Sequence, residues 1–404
     1  METYLVGGAL RDRLLGRPVK DRDWVVTGAT PEDLIERGFR RVGKAFPVFL
    51  HPQTREEYAL ACRSRGDAAS AGPQVSIEED LRSRDLTVNA MAEDAAGHLV
   101  DPLGGLRDLE RRRLRAASPE AFAADPLRVL RVARLAAELA PLGFEVEPET
   151  RRAMRSHRVR EGLVALAGER VWGEIRRALA SDDPPRFVRE LRAAHVLEDV
   201  LPEVDCLFGV PQPTRWHPEI DTGVHTLMVL EQAAALSPRV DVRFAALTHD
   251  LGKGDTPPEI LPSHRGHEER GVTLVDRLCA RIRVPGATAR LARHTARWHA
   301  HVHRARELRP AVVLDVLEGC DAFRRPEDFA ALLLACEADY RGRAGFEHRP
   351  YPQAGFFRTA LDVAARLDAA AAVGARTGPG AARALREARA AAIAALPRPG
   401  NDQA

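Results

Sequence analysis

The stretch Leu5-Val6-Gly7-Gly8-Ala9-Leu10-Arg11-Asp12, followed by Lys20-Asp21-Arg22-Asp23-Trp24-Val25-Val26, constrains this chain more than any other. A short apolar run meets two glycines, then a helix-like run, then a second apolar run entered by two aspartates. Glycine permits a tight turn that exposes backbone N–H groups at a helix start, where phosphate binds well. Asp21 and Asp23 stand at i and i+2, so on a strand both carboxylates leave one face. Two hard oxygen ligands suit Mg²⁺, which takes one or two carboxylates plus substrate phosphates. Phosphates held opposite such a pair form the arrangement of a nucleotidyl-transfer site.

At 404 residues the chain is long enough for two to four domains. Its 45% hydrophobic and 29% charged residues describe an ordinary globular protein. Glu2, Arg11 and Asp12 interrupt any apolar leader, and no run is long enough to cross a bilayer, so a cytoplasmic protein without membrane contact is expected. Cys62, Cys206, Cys279, Cys320 and Cys336 are far apart and read as reduced, mostly buried thiols. The net charge is only +2, so a nucleic-acid partner must be met by local basic patches. Those patches are arginine, since lysine occurs only at Lys20, Lys44 and Lys253.

Short β-rich runs at Tyr4–Val6, Trp24–Thr27, Val48–Leu50, Tyr58–Ala61 and His98–Val100 predict a mixed α/β head. Helices are predicted between them at Ala9–Leu15, Pro31–Arg37 and Arg84–Ala92. Beyond Pro119 the strand signals fade. Apolar residues recur at helical spacing over Asp125–Leu139, Pro148–Ser156 and Glu169–Ala180. An Ala- and Arg-rich tail from Leu361 to Leu396 has high helix propensity; it could grip RNA phosphates or equally serve as a packing or oligomerisation segment.

Four further motifs follow in order: Glu79-Asp80-Leu81-Arg82-Ser83-Arg84-Asp85-Leu86-Thr87-Val88-Asn89-Ala90; Asp101-Pro102-Leu103-Gly104-Gly105-Leu106-Arg107-Asp108-Leu109; Asp125-Pro126-Leu127-Arg128-Val129-Leu130-Arg131-Val132-Ala133-Arg134; and Glu169-Arg170-Val171-Trp172-Gly173-Glu174. In the first, Arg84 is expected just before a helix. In the third, Asp125, Arg128, Arg131 and Arg134 recur every three residues and form one polar stripe on a helix. With the opening signature, the set resembles the bacterial class II tRNA nucleotidyltransferases, the CCA-adding enzymes, over most of the chain.

The resemblance implies that Asp21 and Asp23 hold Mg²⁺ and carry catalysis, while Gly8 and Arg11 contact the β- and γ-phosphates. It implies that Asp125 and Arg128 read the incoming base. Cytosine and adenine both offer an amino donor beside a ring-nitrogen acceptor, which a carboxylate and a guanidinium complement; uracil and guanine offer the reverse. Arg131, Arg134 and Arg84 are left for the triphosphate or the base stack. Glu57 is a candidate third carboxylate, or equally an exposed strand-end acid beside Glu56. The implied reaction adds CCA to the tRNA 3′ end from CTP and ATP without a nucleic-acid template. The chain departs from the family pattern at Ser83 and Cys62, where arginines are usual. Its Ser64–Gln74 loop is also short, a segment tied in the family to the switch from C to A addition.

A second constellation is His225, then His249-Asp250 within Leu247-Thr248-His249-Asp250-Leu251-Gly252-Lys253-Gly254, then Asp339. Imidazole and carboxylate ligands with open positions suit Mn²⁺, Ni²⁺, Fe²⁺ or Zn²⁺. The order resembles the HD phosphohydrolase superfamily, and Trp216-His217-Pro218-Glu219-Ile220-Asp221-Thr222-Gly223-Val224-His225 is similar to CCA-adding enzymes that carry such a body. Hydrolysis of phosphomonoesters, 2′-nucleotides and 2′,3′-cyclic phosphates with a transition metal such as Ni²⁺ is then implied. His264, His267 and His299 are further candidate ligands. His299, His301 and His303, at i, i+2 and i+4, cannot all face one metal.

The expected fold is α+β: a polymerase β-like nucleotidyltransferase head (1–118), then an all-helical neck (119–209), HD body (210–330) and tail (331–404). A monomer or homodimer is expected. The competing readings are a bacterial poly(A) polymerase, an HD phosphohydrolase with a regulatory nucleotide-binding head, and a non-catalytic RNA-binding module.

Overall fold

The structure, a computed structural model, describes residues 1–19, 21–42, 48–64 and 70–398; Lys20, Lys44 and residues 65–69 of the short loop lie outside these. The chain packs as two compact units, Met1–Leu166 with Arg189–Val200, and Ala167–Val188 with Leu201 onward. The segment expected as the neck is therefore shared between them.

The first unit is built on a mixed sheet of seven strands: β1 (Glu2–Val6), β2 (Asp23–Thr27), β3 (Arg40–Val42), β4 (Val48–Leu50), β5 (Glu57–Leu60), β6 (Ala92–Glu93) and β7 (Leu99–Val100), in the order β3-β4-β5-β2-β1-β6-β7. Only β2 and β5 run parallel. Period-two alternation sorts the core: Tyr4, Val6 and Val25 pack with Ile77 and Leu81 on one face. Val26 and Leu60 pack with Leu34 and Phe49 on the other. β3 and β6 were not legible, because Arg40-Arg41 reads as polar and β6 is two residues paired to the edge of β1.

The helix expected over Arg84–Ala92 is not there. The helix lies earlier, at Ile77–Arg82, and Arg84 follows its end. Ser76 and Glu79 form a reciprocal capping box that starts it, with Ser76 N–H donating to Glu79 at 3.0 Å and Glu79 N–H to Ser76 Oγ at 3.2 Å. The Ser83 hydroxyl closes it by donating to the Asp80 carbonyl at 2.7 Å. Only a single 3₁₀ turn, Thr87–Asn89, forms in the expected span, and its Thr87 hydroxyl donates to Asp108 at 2.6 Å. The Asp101 carboxylate accepts from Gly105 and Leu106 N–H (2.7 and 2.9 Å) and starts the helix Gly105–Glu110. A Cβ at Gly105 would lie 2.2 Å from the Thr87 carbonyl oxygen, so only glycine fits there. The remaining helices of this unit include Leu127–Glu138, Pro148–Met154 and His157–Val164.

The second unit is helical, with long helices at Gly168–Leu179, Thr222–Leu236, Val240–Thr248, His267–Arg281, Gly286–His303, Pro310–Gly319, Pro326–Arg341, Pro352–Ala365 and Gly378–Ala394. Val229, Ala233, Ala246 and Ala338 interlock three of these helices through small side chains. Arg243 is buried and donates to the carbonyls of Leu179, Ser181, Ala234 and Ser237 at 2.6–3.1 Å. The tail helix packs on Pro310–Gly319: Arg386 pairs with Asp315 and Glu318, and Arg389 lies 4.1 Å over the Phe323 ring. Of the two uses open to the Ala/Arg tail, these arginines serve packing. No helix among the described residues is long and apolar enough to cross a membrane.

Cys62, Cys279, Cys320 and Cys336 are buried and Cys206 is exposed. Burial pushes the Cys279 thiol up to about 12, with Asp276 and Glu203 adding to the rise. A thiol reagent should therefore label close to one thiol per native chain and all five after unfolding. Fast labelling of two or more would contradict this packing.

Candidate active site and metal centre

Residues expected to serve nucleotidyl transfer come together at one end of the sheet. Val6, the last residue of β1, pairs with Asp23, and Asp23 pairs with Glu57 on β5. Register partners share a face, so the Asp23 and Glu57 carboxylates leave the sheet side by side. Asp21 precedes the strand by two residues and is exposed, as are Asp23 and Glu57. Gly7, with φ 69°, makes the turn from β1 into the helix Gly7–Leu14. A Cβ there would stand 3.1 Å from Arg84 Nη1 and 4.0 Å from Asp23 Oδ2. The glycine turn thus passes between the candidate metal carboxylate and the arginine. Gly8 follows it, with Arg11 Nη2 3.5 Å from the place of its missing Cβ.

Each arginine here is held. Arg11 is buried, donating to Asn89 Oδ1 at 2.7 Å and to Asp12 at 2.9 and 3.0 Å. Arg84 forks onto Asp80 Oδ2 at 3.0 and 3.1 Å, and its Nη1 donates to the Asn89 carbonyl at 3.3 Å. Arg128 is also buried and donates to the carbonyls of Arg84 and Ala121 (3.4 and 3.2 Å), tying helix Leu127–Glu138 to the Arg84 segment. The expected stripe is therefore graded, with Arg128 inside and Arg131 and Arg134 half-buried. Burial pushes the Asp85 carboxyl up, but the Arg131 guanidinium and hydrogen bonds from Asn89 and Leu86 hold it below its ordinary value. Arg134 donates to Glu138 at 2.7 Å. Asp125 accepts from Leu127 N–H at 3.3 Å and stays half-buried at the helix entrance.

In the second unit the helices bring His225, His249, Asp250 and Asp339 together, and the ligand atoms of His225, His249 and Asp339 lie within 4.8 Å of one another. His225 Nε2 is 3.1 Å from Asp339 Oδ1, and His249 Nε2 is 3.1 Å from Asp250 Oδ2. Asp250, His267 and His299 form an adjoining set, with Asp250 Oδ1 at 3.4 and 3.5 Å from the two Nε2 atoms. Asp250 thus belongs to both. The ring orientations fit a cation. His249, His267 and His299 each turn Nδ1 to a backbone carbonyl, of Ala246, His264 and Thr295, at 2.7–3.0 Å. His225 turns Nδ1 to Glu219 at 2.9 Å. All four Nε2 atoms are left facing the carboxylates, the way ligating imidazoles are commonly oriented. His249 Nε2 and Asp250 Oδ1 are buried and without a hydrogen-bond partner among the described residues.

His264 does not join, because its ring nitrogens are taken by Thr256 (2.7 Å) and the Pro211 carbonyl (3.0 Å). His303 faces Asp339 Oδ2 at 2.6 Å and accepts at Nδ1 from the Tyr351 hydroxyl at 2.8 Å, so it orients the carboxylate. Sequence reasoning missed His217, Glu219, Lys253 and Tyr351. The Glu219 carboxylate bridges His217 and His225, at 2.9 Å from each Nδ1, and Lys253 Nζ is 2.6 Å from Asp250 Oδ2. The histidine-rich phrase 216–225 was the available signal for the first two. Burial pushes the Asp339 carboxyl up, but His303 and His249 pull it well below its ordinary value. Burial opposes a charge on His249, yet Asp250 and Asp339 outweigh it and raise its pKa.

The architecture defines a nucleotidyltransferase head joined to an HD metal unit. Residues 3–115 match the Poly A polymerase head domain family, 143–207 the family described as a probable RNA and SrmB-binding site of polymerase A, and 222–340 the HD domain family. The chain is 59% identical over 367 residues to the multifunctional CCA protein of Thioalkalivibrio sulfidiphilus, covering 89% of this chain and 90% of the relative. It is 55% identical over 406 residues to that of Methylococcus capsulatus, covering 98% and 95%. The fold is that of the Bacillus stearothermophilus CCA-adding enzyme solved in complex with CTP (TM-score 0.64, 22% identity, 97% of this chain and 88% of that one). The Thermotoga maritima enzyme complexed with tRNA is similar (TM-score 0.62, 18% identity, 98% and 88%). The chain belongs to the family of multifunctional CCA proteins.

Two outcomes follow for the HD unit. A Cβ at Gly252 would lie 2.0 Å from the His267 carbonyl oxygen, so Gly252→Ala must part the Asp250 turn from the His267 helix. It should cost about 1–3 kcal/mol and lower the metal bound per chain, measured by urea melts and elemental analysis; unchanged metal content would count against the shared Asp250. Burial also pushes His217 and His267 down to about 4. His264, His294, His301 and His303 shift the same way, and His249 alone opposes. The unfolded chain takes up these protons near pH 6.5 and the folded chain only lower, so the lowered groups contribute stability that is full above about 6.5 and lost toward 4. The urea midpoint of chelator-treated protein should fall across that window, and a flat profile would refute it.

Proposed function

We propose that the chain completes the 3′ end of tRNA with CCA, in maturation and repair, taking CTP and ATP without a nucleic-acid template and releasing pyrophosphate. Its HD unit hydrolyses phosphate esters: phosphomonoesters, 2′-nucleotides and 2′,3′-cyclic phosphates. The first half rests chiefly on the meeting of Gly7, Asp23 and Arg84 at one turn, in a chain more than half identical to multifunctional CCA proteins. We divide the chain into head (1–118), neck (119–209), HD body (210–330) and tail (331–404), a cytoplasmic enzyme acting as monomer or homodimer. Identity to those relatives along almost the whole length favours this reading over a poly(A) polymerase or a regulatory head.

Asp21 and Asp23 are the catalytic carboxylates, with Glu57 beside them. Mg²⁺ held there supplies Lewis acidity at the α-phosphate and favours attack by the tRNA 3′-hydroxyl. The 3′-oxygen bonds to the α-phosphorus as the bond to the β-phosphate oxygen breaks, and pyrophosphate leaves. The Gly8 backbone and Arg11 hold the β- and γ-phosphates, with Arg84, Arg131 and Arg134 around the triphosphate and base. Asp125 and Arg128 meet the base edge; Arg128, already fixed by two carbonyls, arrives pre-oriented. In the HD unit, His225, His249, Asp250 and Asp339 hold a divalent transition metal, Ni²⁺ among the candidates, with Asp250, His267 and His299 able to hold a second. The metal supplies Lewis acidity toward water and the ester. Glu219 and His303 keep His225 and Asp339 turned toward it.

The test is tRNA lacking CCA, incubated with Mg²⁺ and each nucleoside triphosphate, with products read at single-nucleotide resolution. CTP alone should add two residues and ATP one more; long A tracts would favour poly(A) polymerase. Stopping after CC would show that the short 64–74 loop does not support the switch. Asp23→Asn should lower addition about 10³-fold. Asp125→Ala should admit UTP or GTP, cutting discrimination at least ~10²-fold, because the mismatched base no longer leaves a buried carboxylate unpaired; unchanged selectivity would remove Asp125 from base reading.

A further inference from the structure

The loop between Val210 and Thr222 carries more toward the metal cluster than its two metal-facing supports. Its ends are pinned by the Pro211–Asp221 bridge, by Gln212 N–H donating to the Ile220 carbonyl at 2.7 Å, and by Thr222 N–H donating to the Val210 carbonyl at 3.0 Å. Ile220 holds a φ of 63°, a costly conformation for a β-branched residue, so the packing around it over-determines this geometry. What the loop fixes is the buried side chain of Gln212, 2% exposed.

Gln212 Oε1 lies 2.6 Å from Lys253 Nζ, and the same ammonium lies 2.6 Å from Asp250 Oδ2. An ammonium can only donate, so the near atom of the amide is its oxygen and the flip is settled by chemistry. The amide nitrogen, on the same carbon, is buried with no hydrogen-bond partner among the described residues. A buried N–H donor left so calls for an acceptor from outside the chain. A metal ion does not meet that need, since an amide N–H donates and does not ligate. Of the nearby Asp250 carboxylate, Oδ2 is engaged by Lys253 and Oδ1 faces His267 and His299 Nε2 at 3.4 and 3.5 Å. The amide hangs from the ammonium that pairs with Asp250 of the metal cluster, and an acceptor met near that fixed positive charge is favoured when it is an anionic oxygen.

We propose that Gln212, oriented by Lys253, donates its amide N–H to a non-bridging phosphate oxygen of the ester hydrolysed at the HD site. This rests on the phosphohydrolase reading given above. The amide is uncharged, so it adds direction to the binding of phosphate without competing with the metal for the carboxylates.

The experiment compares the metal-loaded full-length protein with Gln212→Leu and Gln212→Glu. Elemental analysis reads the metal bound, calorimetry reads the affinity for inorganic phosphate, and steady-state kinetics on a 2′,3′-cyclic nucleotide reads KM and kcat. Gln212→Leu should keep the metal and weaken phosphate about tenfold, with KM rising more than kcat falls. Gln212→Glu, which can still accept from Lys253 but sets a negative charge where the donor was, should weaken phosphate further. Unchanged phosphate affinity in Gln212→Leu, or loss of metal in both variants, overturns the role of Gln212 alone. A wild-type protein that neither binds phosphate nor hydrolyses the ester with Mn²⁺ or Ni²⁺ overturns the phosphohydrolase reading, and this proposal with it.

Discussion

The catalytic head depends on one buried ion pair. Asp80 is fully buried, and Arg84 meets it with two hydrogen bonds of 3.0 and 3.1 Å. The same carboxylate accepts from Cys62 N–H at 3.2 Å, just past the end of β5, and sits on the helix Ile77–Arg82. Arg84 then reaches the glycine turn through Nη1 and offers its own carbonyl to Arg128. Sheet, helix Ile77–Arg82, the glycine turn and helix Leu127–Glu138 are therefore tied through two side chains. Removing either one leaves the other as an uncompensated buried charge, a loss of about 3–5 kcal/mol. The pair fixes where Arg84 stands relative to the glycine turn and Asp23.

Much of this was legible because the chemistry needs residues close in sequence. Gly7-Gly8 read directly as the turn between a strand and a helix, and Asp23 as the start of the neighbouring strand. The HD dipeptide likewise sits where a helix ends, at Val240–Thr248. The misplaced helix had a visible signal: Ser76-Ile77-Glu78-Glu79 is a capping box, while Thr87-Val88 supplies β-branched residues that favour leaving a helix. The apolar spacing after Arg84 came instead from a 3₁₀ turn and a strand packed on the same core, where Ala90 and Ala92 are buried.

Other parts lay beyond sequence reasoning for a different reason. Glu219 supports His225 from six residues away, yet a peptide N–H at Ala344 also reaches it at 3.4 Å, 125 residues on. Tyr351 reaches His303, and His303 reaches Asp339, only because two helices and the start of a third converge. Gln212 and Lys253 are 41 residues apart. No local period encodes such contacts. They follow from which helix faces pack, and a lone glutamine or tyrosine in a polar loop carries no pattern of its own.

Charge explains why so many supports surround one small site. Asp250, Asp339 and Glu219 are buried carboxylates, and each is held well below its ordinary pKa although burial alone would raise it. They are ionised in a region where an unpaired charge is costly. Burial lowers the pKa of His217, His267 and His303, which disfavours positive charge on these rings and leaves them as hydrogen-bonding groups. Lys253 Nζ faces Asp250 Oδ2 at 2.6 Å, and Asp250 and Asp339 pull the His249 pKa up against its burial. Three carboxylates so placed concentrate negative charge that a divalent ion would offset. Imidazole ligates as the neutral ring, so a raised pKa at His249 couples metal uptake there to proton release, while the Lys253–Asp250 contact at 2.6 Å stands apart from that exchange.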